Sequence, residues 1–400
     1  MKSLLKNILV KILGWQVRRL RKRNDFKIIG VVGSIGKTST KLAIAKVLES
    51  GKRVRYQEGN YNDVVSVPLV FFGQEMPELW NIFAWLKIIF QNEWQIWGKF
   101  PFDIVVVELG TDAPGQINEF RKYLHLDIAV ITAIALEHME FFKTIEAVAE
   151  EEWSVRYFSD LVFVNRDLCK ILPEDFNHNK VIFYGKDFDK VYKYEAVSPV
   201  QLYSINIAII LAKKFNISDE KIKKTVSEIK SFPGRMQKLN GIKNSTIIDD
   251  TYNASPDAVK MALDTLYAQS ATQRIAILGM MNELGNTSEE EHKKIGRYCN
   301  PKFLDLVVTV GKDANLFLTP MAKQNGCDVY EAKNSVDAGK FVAEKVKPGA
   351  VILAKGSQNG VFAEEALKPL LADKSDFGKL VRQDKHWMNK KHLTFNSKPL

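Results

Sequence analysis

The feature that most constrains this chain is the stretch GVVGSIGKTST, residues 30–40. It follows an apolar run at residues 27–32 and precedes a helical pattern at residues 38–50. In such a strand–loop–helix unit, backbone N–H groups and the helix dipole converge on one point, which favours a phosphate. Val31 stands where the strict G-x-x-x-x-G-K-[ST] pattern has its first glycine. The residues predicted to bind a nucleotide here are Gly33, Ser34, Gly36, Lys37, Thr38 and Ser39, with Lys37 on the β and γ phosphates and the Thr38 hydroxyl on Mg²⁺.

Short apolar runs alternate with helical patterns along most of the chain, which predicts an α/β protein. The first series predicts a parallel sheet with helices on both faces, in a P-loop ATPase domain. After the Pro-Gly of SFPGR, a second series predicts a smaller, Rossmann-like α/β domain. The predicted organisation is a basic amphipathic helix at residues 1–26, an ATP-binding domain at 27–235, a second domain at 236–372 and a loosely held charged tail at 373–400.

The net charge of +10 over 400 residues is concentrated at the two ends of the chain. Residues 1–23 hold eight Lys and Arg and no acid, and residues 373–400 hold seven Lys and Arg and three acids, so the middle carries 10 − 8 − 4 = −2. This distribution argues against a nucleic-acid groove in the folded body, and no nucleic-acid partner is expected. Three widely separated cysteines, Cys169, Cys299 and Cys327, indicate neither a disulfide framework nor a zinc knuckle, and they fit a reducing cytoplasm.

Two segments leave a membrane role open. The first 23 residues form a basic amphipathic pattern that Lys6 and Lys11 make too polar to span a bilayer. This helix either packs on its own domain or a partner, or lies on an anionic membrane face. The aromatic stretch at residues 80–97 is interpreted mainly as a packed insertion, with a membrane or partner surface as the alternative.

Two polar residues follow apolar runs of the first domain. Glu108 closes the run DIVVVEL and is expected to lie beside the phosphate loop as the acidic metal partner, although a strand-end Glu can also cap the next helix. His138 closes IAVITAIALEH, and we expect it at the next strand exit on the same rim, where open α/β sheets bind their ligands.

Seven motifs occur in order between about residues 27 and 371, namely GSIGKTS, GNYNDVVSVP, ELGTDAPGQI, EHMEFF, DDTYNASPDA, GMMNELG and AKGS. They resemble, in the same order, the motifs of the Mur ligase family, and they are most similar to its MurF branch. This branch adds D-Ala-D-Ala to the UDP-MurNAc-tripeptide, and its loop lacks the first Walker glycine, as this one does.

The resemblance implies ATP, two Mg²⁺ ions and an acyl phosphate that an amine attacks to form an amide. Carried over to this sequence, it implies that Thr38 and Glu108 bind the first Mg²⁺ and that His138 binds the second. It implies a further set of residues at the nucleotide, namely Asn206, Arg235, Asp250, Tyr252 and Asn253. Asn60 and Asn62 are implied at the carboxylate substrate, and Lys355 and Ser357 on the amine side.

The lysine that this family carbamylates to bind the second Mg²⁺ aligns with Glu152. A glutamate supplies the same hard oxygen ligand without CO₂. A one-residue slip would move the role to Glu151, and the alternative is that Glu150, Glu151 and Glu152 form a solvated helix face.

The predicted function is an ATP-dependent amide ligase that joins a muropeptide or related carboxylate to a D-amino-acid or dipeptide amine. Four features differ from the MurF pattern. Leu202 and Tyr203 replace a His-Asn pair before Asn206, Gln358 replaces an Arg, and Met280 replaces an Asp. In addition, only 26 residues precede the ATPase strand, too few to fold around a UDP-sugar. Two alternatives therefore stay open. One is the same chemistry on another acid, such as a lipid-linked muropeptide or a poly-amino acid; the other is nucleotide-dependent binding without ligase turnover.

Overall fold

A computed structural model describes residues 2–174, 178–186, 192, 194 and 198–396. The chain divides into two compact units. Unit 1 covers the described parts of 1–135, 141–195 and 200–229, and unit 2 covers 136–140, 196–199 and 230–400. Both units are built on mainly parallel sheets with helices, so the α/β prediction is confirmed.

Unit 1 is a six-stranded parallel sheet in the order β2-β3-β1-β4-β5-β6. Buried Val, Ile and Phe side chains from the strands pack against the helices on its faces. Its strands are β1 Lys27–Val32, β2 Val54–Arg55, β3 Ile104–Glu108, β4 Leu126–Ile131, β5 Ser159–Asn165 and β6 Val181–Tyr184. Its helices are α1 Lys2–Arg23, α2 Lys37–Glu49, α3 Ser66–Phe72, α4 Ile82–Trp97, α5 Gln116–Phe120, α6 Met139–Phe142, α7 Ile145–Trp153, α8 Pro199–Lys214 and α9 Asp219–Glu228, with the start of α6 and Pro199 grouped with unit 2.

Unit 2 is a second six-stranded sheet in the order β11-β10-β9-β12-β8-β7. Its strands are parallel except for the antiparallel pair β7–β8. The strands are β7 Gln237–Asn240, β8 Thr246–Asp250, β9 Arg274–Gly279, β10 Leu306–Val310, β11 Val329–Ala332 and β12 Val351–Lys355. The helices are α10 Pro256–Tyr267, α11 Ser288–Tyr298, α12 Thr319–Gln324, α13 Ser335–Lys345 and α14 Lys385–Asn396.

The helix predicted for residues 1–26 forms as α1 and packs on unit 1. Leu9, Leu13, Val17 and Leu20 are each at most 2% exposed, so its apolar face belongs to the core. Of the outcomes predicted for this helix, packing on its own domain is therefore the one that the structure shows. Among the described residues, no helix is both long enough and apolar enough to cross a bilayer.

The tail predicted to be loosely held is residues 373–400, of which 397–400 lie outside the described residues. For the described part, 373–396, the prediction is wrong. Arg382 and Lys391 are 9% and 2% exposed, and both bind the buried carboxylate of Glu364. Arg382 makes a two-point contact with that carboxylate, at 2.9 and 2.6 Å. Charged side chains are buried only when paired, and the pairing here holds the tail on unit 2.

Candidate active site

The phosphate loop lies between β1 and α2, as predicted from the sequence. Gly33 has φ +123°, and a Cβ there would lie 2.3 Å from the Thr132 hydroxyl. Gly36 has φ +85° and is the N-cap of α2, with no side chain capping the helix. Both positions therefore require glycine, and the first-turn N–H groups of α2 stay available to an anion. Of the other residues assigned to the loop, Ser34, Thr38 and Ser39 are buried and Lys37 is half-buried.

The sheet places Glu108 beside this loop. Strands β3 and β1 pair in parallel, with Glu108 opposite Val31, and the N–H of Leu109 donates to the Val31 carbonyl at 2.9 Å. Strand β1 lies between β3 and β4. Strands β2 and β3 lie on one side of it and β4 to β6 on the other, so the direction in which strands are added to the sheet reverses at β1. Ligands of open α/β sheets bind at such a switch point, outside the carboxyl ends of the strands.

The carboxylate of Glu108 is buried, with 3% of the residue exposed. Lys41 Nζ lies 3.4 Å from its Oε2, and Asn62 Nδ2 donates to its Oε1 at 3.4 Å. Lys41 also donates to the Gly59 carbonyl at 3.2 Å. Asn62 and Glu108 thus come together, whereas Asn60 is exposed.

Lys41 is the residue of this cluster that sequence reasoning missed. It follows Lys37 by one helical turn, and it is 2% exposed. Spacing of i, i+4 places both lysines on one side of α2. That spacing could have indicated Lys41 from the sequence. Its partner Glu108 could not be predicted in this way, because only the strand order of the sheet brings the two together.

His138 does not lie at a strand end, so that prediction is wrong. Strand β4 ends at Ile131, and His138 has φ +51° in the segment 136–140, which groups with unit 2. Its Nδ1 lies 2.9 Å from Glu283 and its Nε2 lies 3.4 Å from Glu137. Burial lowers the pKa of His138, but the two carboxylates outweigh burial and raise it to about 10. The imidazole is then a cation, and this arrangement does not fit a metal ligand.

Glu150, Glu151 and Glu152 are not a uniformly solvated face. Glu150 is exposed, whereas Glu151 and Glu152 are 5% and 1% exposed on α7. Glu151 accepts hydrogen bonds from the N–H groups of Gly115 and Ile117, both at 2.6 Å. It therefore holds the start of α5. Among the described residues, no three His, Cys, Asp or Glu side chains cluster tightly enough to hold a metal ion.

Asn206, assigned to the nucleotide, lies on α8 and is 8% exposed. Its Nδ2 donates to the Gly185 carbonyl, just past β6, at 2.6 Å. Its side chain therefore fixes the turn after that strand.

Unit 2 gathers the predicted residues of DDTYNASPDA at the end of β8. The Asp250 carboxylate accepts from Lys355 Nζ at 2.5 Å and from the Met236 N–H at 3.1 Å. Lys355 also donates to the Asn253 carbonyl at 2.9 Å. Lys355, assigned to the amine side, is 3% exposed and holds this loop.

The loop has a second set of contacts around Tyr252. The guanidinium of Arg235 lies 3.9 Å from the centre of the Tyr252 ring, a cation–π contact. Arg382, from the tail, donates to the carbonyls of Thr251 and Tyr252 at 2.6 and 2.9 Å. Arg382 was missed because nothing in the sequence connects the tail to residue 252.

Ser357 connects the loop to a pocket of unit 2. Its hydroxyl donates to the Ala254 carbonyl at 3.2 Å and accepts from the Asn282 N–H at 2.8 Å. Asn282 lines an open pocket of about 360 Å³, together with Met280, Met281, Glu283, Leu284, Gly285, Ser288, Lys312 and Asp313.

The chain matches two domain models of one family. Residues 99–218 match the Mur ligase middle domain, and residues 234–358 match the Mur ligase glutamate ligase domain. The chain is 28% identical over 371 residues to the UDP-N-acetylmuramoyl-tripeptide--D-alanyl-D-alanine ligase of Bacillus subtilis (strain 168), covering 86% of this chain and 76% of the relative.

Solved structures show the same fold. A MurF ligase from Thermotoga maritima, in complex with ADP, superposes with a TM-score of 0.67 at 22% identity over 90% of this chain and 84% of that one. MurF from Acinetobacter baumannii gives a TM-score of 0.70 at 19% identity over 93% and 80%. With two successive Mur ligase domain models covering more than half of its length between them, the chain belongs to the Mur ligase family.

Proposed function

We propose that this chain is an ATP-dependent amide ligase of the MurF type, which joins a muropeptide carboxylate to the amine of D-Ala-D-Ala or a similar D-amino acid or dipeptide. The observation that carries this proposal is the pairing of β3 with β1, which places Glu108 next to the glycine-dependent loop that contains Lys37. The phosphate loop and a carboxylate that can bind Mg²⁺ are thereby brought to one edge of one sheet. The curated relative with the activity covers most of the chain, which supports the same reaction here.

The residues around the loop fit a nucleotide with Mg²⁺. The left-handed glycines leave room for phosphate, the uncapped α2 terminus offers N–H donors, and Thr38 and Glu108 supply the hard oxygen ligands that Mg²⁺ prefers. The bound ion would neutralise charge on the phosphates and orient them. We propose Glu152 as a ligand of a second ion; His138, a cation held between Glu137 and Glu283, would join it only after losing a proton and leaving Glu283.

In the proposed reaction a carboxylate oxygen attacks the γ-phosphorus of ATP, the bond to the β,γ-bridging oxygen breaks, and ADP leaves. The amine nitrogen then attacks the acyl carbon of the acyl phosphate, the carbon–oxygen bond breaks, and inorganic phosphate and a proton leave. Lys37 offsets negative charge on the transferred group, and Asn62 faces the acid from beside Glu108.

The remaining assignments concern unit 2 and the place of action. Arg235, Asp250, Tyr252 and Asn253 are proposed at the nucleotide, and Ser357 with the adjoining pocket at the amine, where Lys312 offers a positive charge to a carboxylate-bearing amine. The place of action is a separate proposal. We propose that the enzyme acts in the cytoplasm, because Cys169, Cys299 and Cys327 are free thiols and the reaction needs ATP. Peripheral membrane contact through residues 1–23 would use their basic side chains and the exposed Trp15, because most of the apolar face of α1 is buried.

The test is purified full-length protein with ATP, Mg²⁺ and a matrix of substrates. The acids are a UDP-muropeptide, a lipid-linked muropeptide and a poly-amino acid; the amines are D-Ala-D-Ala, D-Ala and L-Ala. Phosphate release that requires both an acid and an amine, with the amide found by mass spectrometry, supports the proposal and identifies the pair. Nucleotide binding without turnover on any pair would instead show a binding protein.

A further inference from the structure

Helix α4 is apolar on two opposite faces. Its inner face places Trp85 and Ile88, 3% and 7% exposed, in a cluster with Leu9 and Leu13 of α1. Its outer face exposes five large apolar side chains at i, i+3, i+7, i+11 and i+14. These are Phe83 at 86%, Leu86 at 58%, Phe90 at 77%, Trp94 at 80% and Trp97 at 65%.

This spacing makes the outer side chains one continuous stripe along the helix. Trp80, which precedes α4, and Ile82, its first residue, are 68% and 59% exposed and add to this apolar surface. Scattered exposed apolar residues are ordinary, but a contiguous patch of this kind marks a binding surface.

The edge of the stripe nearest α1 is basic and rich in tryptophan. The guanidinium of Arg23 lies 4.4 Å from the centre of the Trp97 ring, and that of Arg19 lies 5.9 Å from it. Arg19 also lies 4.3 Å from the centre of the Trp15 ring, which is itself 48% exposed. Helix α1 holds eight Lys and Arg and no acid, and Lys87 adds a cation on α4. Glu93 of α4 pairs with Arg19 at 2.6 Å, so the net positive charge of this edge comes from the other basic residues. Thus α4 provides the apolar surface and α1 the charge.

We propose that this surface, the outer face of α4 with the basic edge of α1, docks the enzyme on an anionic lipid bilayer. Tryptophan concentrates at the level of the lipid headgroups, Arg and Lys extend to the phosphates, and an apolar stripe enters the acyl boundary. The 16 residues of α4 are too few to span a membrane, so the contact is in the interfacial plane.

The positive charge of this surface favours an anionic bilayer over a second copy of this chain as its partner. In a two-fold dimer the same patch meets itself, so the basic edges of two α1 helices would be brought together. An anionic surface instead attracts each basic residue near it, by about fivefold in affinity per residue at low salt. The proposal does not depend on ligase activity, since its readout is vesicle binding.

The experiment is flotation of the full-length protein with vesicles of phosphatidylcholine alone or with 30% phosphatidylglycerol, at about 50 and 500 mM salt. We expect binding to the anionic vesicles, a blue shift of tryptophan emission, and weaker binding at high salt. The double variant Phe90→Ser/Trp94→Ser should lose at least tenfold in vesicle affinity at both salt concentrations. The matched control Leu316→Ser/Leu393→Ser removes apolar residues that are 56% and 72% exposed in unit 2, and it should bind as wild type does.

Arg23→Ser separates the charge from the apolar contact. It should weaken binding about fivefold at low salt and little at high salt. Thermal unfolding midpoints equal to that of the wild type show that the variants are folded. Absence of vesicle binding, equal binding to neutral and anionic vesicles, or a dimer in sedimentation that the Phe90→Ser/Trp94→Ser change abolishes would each overturn the proposal.

Discussion

Each unit places a buried lysine against a strand-end carboxylate, but the two pairs differ in closeness. In unit 1, Lys41 Nζ lies 3.4 Å from Glu108 Oε2. In unit 2, Lys355 Nζ lies 2.5 Å from Asp250 Oδ2 and also binds the Asn253 carbonyl. Charge-assisted hydrogen bonds shorten to about 2.8 Å when they are strong, so the first pair is loose and the second is tight.

The difference in distance shows that a buried lysine–carboxylate pair can either keep a carboxylate ready for a ligand or fix a loop. A loosely held Glu108, beside the phosphate loop, can exchange Lys41 for a divalent cation at small cost. A tightly held Asp250 fixes the loop of residues 250–253. Breaking a buried pair leaves an uncompensated charge, which is much more costly than loosening one. The following substitutions test this contrast.

Lys37→Ala should abolish ATP turnover, by at least about a thousandfold, because it removes the cation that offsets the transferred phosphoryl group. The fold should be kept, since Lys37 is half-buried at the loop and is not part of the hydrophobic core. Phosphate release and a thermal melt measure the two effects. Near wild-type release would show that the loop is not catalytic.

Glu152→Gln should lower turnover about a hundredfold and weaken its Mg²⁺ dependence, because a carboxylate ligand is removed from a buried position. Wild-type activity should not respond to added bicarbonate. Glu150→Gln, an exposed position on the same helix, is the matched control and should change neither. An unchanged Mg²⁺ titration in Glu152→Gln would show that something else holds the second ion.

Lys355→Met should destabilise unit 2 by about 3 kcal/mol, because Asp250 is left buried without its cation. Lys323→Met breaks an exposed 2.7 Å pair with Glu331 in the same unit and should cost under about 1 kcal/mol. Urea denaturation compares the two. Equal losses would mean that the tight pair does not hold the loop.

Asp249, fully buried beside Asp250, predicts a pH dependence of stability. Burial raises its pKa to about 6, hydrogen bonds from Thr251 oppose the rise, and Glu364 and Asp250 add to it. Since the folded pKa is above the unfolded value, the contribution of Asp249 is greatest below about pH 4 and is lost as pH rises through 6. Asp249→Asn should reduce the fall in unfolding free energy between pH 4.5 and 7 by about 2 kcal/mol. An identical fall in urea titrations of both proteins would contradict this.

Lys41→Met should have the smallest effect, a loss of stability without Mg²⁺ that is below that of Lys355→Met, because the pair it breaks is long. Mg²⁺ should bind a fewfold more tightly, since Lys41 no longer competes for Glu108. Lys46→Met breaks an exposed pair on the same helix and serves as control. Weaker Mg²⁺ binding in Lys41→Met, measured by calorimetry with ADP, would mean that Lys41 supports the metal site instead of competing with it.

Local patterns were sufficient for the phosphate loop, both α/β series and the helix at the start of the chain. They failed at His138, where the apolar run IAVITAIALEH continues past the end of β4, because apolar residues also line a buried segment that is not a strand. They failed again at the tail, which was predicted to be loosely held. Composition shows that the tail is charged, but it does not show which residue its charged side chains pair with. Arg382 meets Glu364 across 18 residues of chain, and no short-range spacing indicates that contact.

The sequence by itself determined which groups are present and where the chain must turn: the glycines of residues 33–36, the lysine that follows them, and the order of the family motifs. Those features are local, because backbone conformation and helix spacing depend on neighbouring residues. The tertiary structure alone decided which carboxylate each lysine meets and which apolar face stays outside. Lys355 and Asp250 are 105 residues apart, and the pairing of β12 with β8 brings them together. The outer stripe of α4 is apolar, as are Trp85 and Ile88 on its inner face, and the packing of α1 and α3 against the inner face leaves the outer one exposed.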